Sequence, residues 1–229
     1  MLHEIVRPIK IISGRPIEDF EFNYYSQHGE DGIVQEILRR LGVKNGWVVE
    51  FGAWDGKYLS NTFRLLEKGK GFKAVFIEGE KDRYEDLVIL SKKMNDRIIP
   101  LCAFVEPDGE NSLDNLLART PIPEDIDLLS IDVDGMDYHI WEGVKKYNPK
   151  VVIIEVNCSL PLELEQKHDA KQKKQGSSFL STLKLGNDKG YTCVYHHGNM
   201  FFVKDDLMSK AGLEVKTFEQ QKGLYKRKN

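Results

Sequence analysis

The 229-residue sequence predicts one α/β domain: a mostly parallel sheet with helices on both faces, closed by a C-terminal antiparallel hairpin. Three observations carry this. Between residues 30 and 156, short apolar runs alternate with stretches of helical spacing, the pattern of parallel strands joined by right-handed crossovers. The runs are largely apolar rather than apolar at every second position, as strands covered on both sides are expected to be. The last two runs are separated only by turn residues, so they are expected to pair back on each other.

In chain order, Ile33, Val34, Ile37, Leu38 and Leu41 recur along one helical face. Glu30 and Asp31 occupy the first turn, Arg39 and Arg40 the last, and Gly42 is the stop, all in keeping with the helix dipole and with end signals. A strand over 47–51 follows, then a helix beginning near Ser60, whose hydroxyl suits an N-cap. The alternation continues with a strand over 73–77, a helix over 82–91, a strand over 98–103 and a helix over 112–118. A strand over 128–133, a helix over 138–146 and a strand over 151–156 complete the series. After Asn157 the stretch 165–176 is too charged for a core and reads as a mobile loop. A helix over 178–185 precedes strands over 191–195 and 200–203, turned by His197, Gly198 and Asn199. Within one domain spanning 1–229, the expected parts are an N-terminal cap segment and helix (1–45), an α/β core (46–157), a mobile charged loop (158–176), a final helix and hairpin (177–205) and a tail (206–229).

The net charge of -3 gives no electrostatic reason to expect nucleic acid. Lys226, Arg227 and Lys228 read as a solvated tail near Glu214 and Glu219, without the interleaved aromatics that stack on bases. Cys102, Cys158 and Cys193 are odd in number and far apart, which suggests neither a disulfide framework nor a zinc site. A reducing, cytoplasmic compartment is therefore expected. No run approaches the roughly 20 apolar residues that cross a bilayer, so no membrane association is expected. Formation of a homo-oligomer stays open.

In an open parallel sheet, ligands bind where the carboxyl ends of the strands meet the crossover loops. The first strand runs into Glu50-Phe51-Gly52-Ala53-Trp54-Asp55-Gly56, an acid followed by two glycines that allow a sharp turn and a close approach. The loop lacks the G-x-G-x-x-G spacing of a dinucleotide site and places Asp55 where an anion would be repelled. S-adenosylmethionine carries an ammonium and a sulfonium and no phosphate, so carboxylates favour it, and Glu50 would face its ammonium. The second strand ends in Glu78, with Glu80 as the alternative, about 20 residues on, where an acid accepts both ribose hydroxyl protons; a solvent-facing helix cap is the plain rival. Asp132 and Asp134 after the fourth strand, and Glu155 and Asn157 after the fifth, converge as four oxygen-bearing side chains. Alternation puts each pair on one side of its strand. The set would orient or deprotonate an acceptor, or Asp132, Glu155 and Asn157 would ligate a hard cation such as magnesium, or members would simply cap helices and pair with lysines. Trp54, Tyr24 and Tyr25 are offered as stacking faces, against ordinary packing.

The segments Tyr25-Ser26-Gln27-His28-Gly29-Glu30-Asp31-Gly32, Val49-Glu50-Phe51-Gly52 with Asp55-Gly56, and Ser60-Asn61-Thr62 resemble the FkbM-like methyltransferases. Phe76-Ile77-Glu78, Ile131-Asp132-Val133-Asp134-Gly135, Ile154-Glu155-Val156-Asn157, Lys189-Gly190-Tyr191, and Asn199 with Phe201-Phe202-Val203 follow in the same order, so the resemblance spans 24–205. It implies a Rossmann-like class I methyltransferase fold with a seven-stranded sheet, S-adenosylmethionine as donor, and transfer to an oxygen of a sugar or small metabolite. By the same resemblance Glu50, Gly52 and Gly56 line the methionine end, Glu78 holds the ribose, Asp132 lies near the donor, and the segment 26–31 closes over the site. Gln27, Glu30, Ala53, Asn61, Ala103 and Phe104 are further expected donor-binding residues.

Methyl transfer is an in-line displacement, so catalysis is largely positioning plus removal of the acceptor proton. Asp132 or Asp134 is the expected base, with His139, His196 and His197 as further titratable groups. The partner is a small-molecule or glycan acceptor. Two rivals stay open: a non-catalytic protein that binds the nucleoside or a partner on the same fold, and a nicotinamide-dependent oxidoreductase, which the missing glycine spacing disfavours.

Overall fold

The continuous apolar runs become strands buried on both faces. The computed structural model describes residues 15–68, 71–169, 171 and 176–213. After a short 3-10 turn over Ile17–Phe20, the elements are α1 (Glu30–Arg40), β1 (Gly46–Phe51), α2 (Phe63–Lys68), β2 (Phe72–Glu78), α3 (Lys81–Lys93) and β3 (Ile98–Cys102). Then come α4 (Leu113–Leu117), β4 (Leu128–Ile131), α5 (Asp137–Gly143), β5 (Val151–Glu155), α6 (Phe179–Asp188), β6 (Tyr191–His197), β7 (Asn199–Lys204) and α7 (Met208–Ala211). The strands form one seven-stranded sheet in the order β3-β2-β1-β4-β5-β7-β6. β1 to β5 pair in parallel, and β7 runs antiparallel to both its neighbours. This is the mostly parallel, helix-covered sheet with a closing antiparallel hairpin that the alternation of elements predicts.

Strand alternation splits the core in two. Val49, Phe51, Val75, Ile77, Leu129, Ile131, Val152 and Ile154 face α4, α5 and α6, where Leu116, Trp141 and Phe179 meet them. Val48, Ala74, Phe76, Leu128, Val151 and Ile153 face α1, α2 and α3, where Ile33, Ile37, Phe63, Leu87 and Leu90 pack. Side chains that point to opposite faces at successive positions meet a packed layer on either side, which is why the strands read as largely apolar runs.

The ends of β4 and α5 and the charged loop differ from expectation for tertiary reasons. β4 stops at Ile131, not at 133, because Asp137 accepts the Val133 N–H at 2.8 Å and the Gly135 N–H at 2.8 Å. Asp134 takes a left-handed φ of 59° in that turn. α5 stops at Gly143, not at 146, because the backbone N–H groups of Lys145 and Lys146 donate to Asp114 Oδ2 at 2.9 and 3.0 Å. The stretch read as a mobile loop is tied down over 158–169. Gln166 and Ser178 exchange two hydrogen bonds, the His168 N–H donates to Ser177 Oγ at 2.9 Å, and Leu162 is buried. Lys226, Arg227 and Lys228 lie outside the described residues. Among the described residues, no helix is long and apolar enough to cross a membrane.

Candidate functional site

Parallel strands deliver their carboxyl ends to one rim, and the acids arrive there together. β1 ends at Glu50 and Phe51, β2 at Glu78, β4 just before Asp132, and β5 at Glu155. Because β7 is antiparallel, its first residue, Asn199, pairs with Glu155 and joins the same rim.

Glu78 is 5% exposed, and each of its oxygens accepts one backbone N–H: Oε2 from Trp54 at 2.7 Å and Oε1 from Glu80 at 2.8 Å. The carboxylate is thereby fixed in place with a second lone pair open on each oxygen. Glu80 itself is exposed and its side chain makes no capping hydrogen bond to α3. Beyond it, the Phe104 ring covers Gly79, where a Cβ would collide with it, and keeps 63% of its surface exposed. Ala103 donates its N–H to the Glu78 carbonyl at 3.1 Å. Trp54, 41% exposed at a φ of 51°, stands on the same rim with the Arg83 guanidinium 3.4 Å from its ring centre.

Glu50 is placed differently from the expectation that it faces an ammonium. Its carboxylate is buried, with Oε2 accepting the hydroxyls of Ser60 at 2.7 Å and Thr62 at 2.5 Å, and Oε1 accepting the Asn61 N–H at 3.0 Å. Asn61 in turn donates to Ser130 Oγ at 3.1 Å. Both residues therefore brace the loop between β1 and α2, while Ser60 Oγ caps that helix by accepting the Phe63 N–H at 2.9 Å. Burial pushes the Glu50 carboxyl up, against three stabilising hydrogen bonds.

The glycines also acquire protein-side reasons. A Cβ on Gly52, at φ 71°, would run into the Asp132 carbonyl oxygen, so this glycine lets the loops after β1 and β4 touch. A Cβ on Gly56 would meet Leu87, Leu90 and Phe76. Ala53 is buried, and its N–H donates to the Ile77 carbonyl at 3.2 Å.

Asp132 and Glu155 meet through their carboxyls. Burial raises Asp132 well above the usual carboxylate range, with Glu155, Asp137, Asp134 and Glu50 adding repulsion. Glu155 is pushed up to about 7, chiefly by burial, while a hydrogen bond from Asp132 works the other way. One proton is shared by the pair, with Asp132 the member that keeps it. Asp134, turned by its positive φ, does not share a strand face with Asp132 as alternation predicts, because β4 has already ended. Asn157 is directed elsewhere too: its Oδ1 accepts the Ser159 N–H at 2.9 Å and the Ser159 hydroxyl at 2.5 Å. The expected metal set of Asp132, Glu155 and Asn157 is thus not assembled, and among the described residues no three His, Cys, Asp or Glu side chains group to hold a metal ion.

The histidines divide likewise. His139 Nε2 lies 2.9 Å from the His168 carbonyl and Nδ1 lies 3.8 Å from Glu142, so its ring pins the loop before α6. His196 is buried against Phe179, and desolvation lowers it to about 4, leaving it neutral. His197 Nδ1 lies 3.3 Å from the His28 carbonyl. Neither Tyr24 nor Tyr25 stacks at the rim. Arg64 covers the Tyr24 ring at 3.9 Å, beside a cavity of about 570 Å³ lined mainly by α1, α2 and the 19–24 segment, and Tyr25 packs edge-on to Phe63.

Over the rim lies the segment before α1. Gln27 is exposed, and Glu30 is buried, joining His28 N–H at 2.6 Å to Asn199 Nδ2 at 3.2 Å. Asp31, Asp137 and Asn199 are not among the individually expected site residues, although Asp31 and Asn199 stand in the motifs of the family resemblance and Asp137 lies two positions after a glycine at a strand end.

No curated protein is similar enough in sequence to count as a match. Among solved structures, the N-terminal domain of EvdMO1 with S-adenosylhomocysteine bound is 10% identical, with 79% of this chain and 82% of that one covered at a TM-score of 0.50. A SAM-dependent methyltransferase from Aquifex aeolicus is 14% identical, with coverages of 81% and 95% and a TM-score of 0.46. The likeness to the EvdMO1 domain is one of fold. The chain thus carries a Rossmann-like class I methyltransferase fold, and over residues 105–191, a shorter span than that of its motifs, it matches the family described as the methyltransferase FkbM domain.

Proposed function

We propose that the chain is an S-adenosylmethionine-dependent methyltransferase that methylates a hydroxyl of a sugar or another small metabolite. The observation that carries this reading is Glu78, a buried carboxylate tethered by one backbone N–H on each oxygen, an arrangement that leaves each oxygen the capacity to accept one ribose hydroxyl. A cationic nucleoside suits a rim of carboxylates, where a pyrophosphate would be repelled. Bound S-adenosylmethionine would supply a methyl group already activated by the sulfonium charge. The chain binds and orients: Glu78 takes the ribose, the exposed faces of Trp54 and Phe104 flank it, and the loop braced by Glu50 bounds the methionine end. At the far side of the rim, Asp132 holds its proton and Glu155 accepts the one released by the acceptor hydroxyl near neutral pH.

Thermal shift with S-adenosylmethionine, S-adenosylhomocysteine and oxidised nicotinamide dinucleotide tests the donor, because a ligand of the native state raises the melting temperature. The first two are expected to raise it and the third not to; no response to either sulfur nucleoside sinks the reading. Incubation with labelled donor and a panel of hydroxylated acceptors then separates turnover from binding alone.

The Asp132 and Glu155 pair gives a second expected result. The folded pKa of Glu155 is raised, so the stability it contributes is complete below its unfolded pKa and is lost as pH rises through about 7. Between about pH 5 and about pH 8 the melting temperature should fall, and Glu155→Gln should flatten that fall by on the order of 5 °C. An identical pH slope in wild type and variant would remove Glu155 as the titrating group.

A further inference from the structure

We propose that Asp31 is the residue that receives the ammonium group at the methionine end of the donor, through its Oδ1 oxygen. This rests on the methyl-donor reading above.

Asp31 is 1% exposed, and its two oxygens are treated very differently. Oδ2 accepts three backbone N–H groups, from Tyr24 and Tyr25 at 2.8 Å and from Ser26 at 2.9 Å. Oδ1 is buried with no hydrogen-bond partner. Three backbone N–H groups thus converge on one oxygen, while the other, also buried, meets none. A buried carboxylate oxygen without a donor is costly, and a hydrogen-bond donor with positive charge is the group that would relieve it.

Two further observations locate that need at the rim. Asp31 acts electrostatically on Glu50, whose carboxyl it helps to raise, so it stands by the carboxyl end of β1. Independently, Asn199 at the start of β7 has a buried Oδ1 without a partner, while its Nδ2 donates to Glu30, the neighbour of Asp31 in sequence. Two acceptor oxygens thus lack donors where carboxylates already crowd. Phosphate or carboxylate would worsen this. An ammonium group brings three N–H donors and the opposite charge. Glu50, the acid that the strand-end pattern offers for this role, has both oxygens engaged by Ser60, Asn61 and Thr62.

Asp31→Asn tests the assignment with little change of shape. The asparagine keeps one oxygen for the three backbone N–H groups and sets an NH₂ donor where Oδ1 stood. Calorimetry on the full chain would compare S-adenosylhomocysteine with methylthioadenosine, which keeps the nucleoside and lacks the amino-acid end. The variant is expected to bind S-adenosylhomocysteine about 10- to 100-fold more weakly and methylthioadenosine within about twofold of wild type. Unchanged binding of S-adenosylhomocysteine overturns this assignment and leaves the donor reading standing. Wild-type protein that binds neither compound overturns the donor reading and this assignment with it. If the variant loses both ligands, a crystal structure of the wild-type chain with S-adenosylhomocysteine decides. An ammonium nitrogen within hydrogen-bond distance of Asp31 Oδ1 supports the assignment, and one beyond about 3.5 Å overturns it.

Discussion

Alanine at position 78 is expected to weaken S-adenosylhomocysteine binding by about 100-fold or more. Two hydrogen bonds from ribose hydroxyls to an ionised carboxylate are worth about 1.5–3 kcal/mol each, and every 1.4 kcal/mol is about tenfold in affinity. The loss has a second source on the protein side. The Trp54 and Glu80 N–H groups lose their common acceptor, so the loops after β1 and β2 no longer share an anchor. Glu80→Ala is the matched control: its side chain is exposed and caps nothing, and affinity should stay within about twofold. Calorimetry with both variants reads the result directly. If Glu80→Ala loses the ligand and Glu78→Ala keeps it, the ribose belongs to the other acid and the donor pose must be redrawn.

The second large effect belongs to Glu50 and falls on stability first. Glu50→Ala would leave two hydroxyls and one backbone N–H buried without their acceptor. Each orphaned buried donor costs about 1–3 kcal/mol, so a loss of about 3–5 kcal/mol is expected. For a chain of this size that lowers the melting temperature by roughly 10 °C or more. Glu50→Gln is the informative partner. Its carbonyl oxygen can keep the Asn61 N–H, and the Ser60 and Thr62 hydroxyls can rotate to accept from its amide. Stability should then fall by only about 1 kcal/mol, with S-adenosylhomocysteine affinity kept within a few-fold. Donor affinity that collapses in Glu50→Gln while the melting temperature holds would return Glu50 to direct contact with the ammonium and displace Asp31.

Glu50 and Glu78 show how far a linear reading reaches. Both sit at strand ends that the chain order places on one rim, and both were identifiable from the apolar runs before them. Their roles were not. A carboxylate at a strand end reads the same whether its lone pairs face a ligand or a serine ten residues away, and only the fold brings Ser60, Asn61 and Thr62 onto Glu50. Gly52 is similar. Its freedom of φ is legible as a glycine in a turn, but its partner is the Asp132 carbonyl, far along the chain.

By itself, the sequence determined the class of the molecule: the seven strands and the helices between them in chain order, the parallel sheet ending in a hairpin, and the rim on which the acids gather, while α7 (Met208–Ala211) falls in what reads as a tail. It could do so because helical and strand periods are local, and because a strand with two buried faces is largely apolar up to its carboxyl end. Tertiary structure alone decided which of those acids are braces and which stay open. It took Asn157 out of the metal set and tied His139 to the loop before α6. It paired Asp132 with Glu155 and left Asp31 with one unpartnered oxygen. The physical reason is that the state of a polar group depends on its burial and its hydrogen-bond partners, and those partners come from elements that no spacing rule connects.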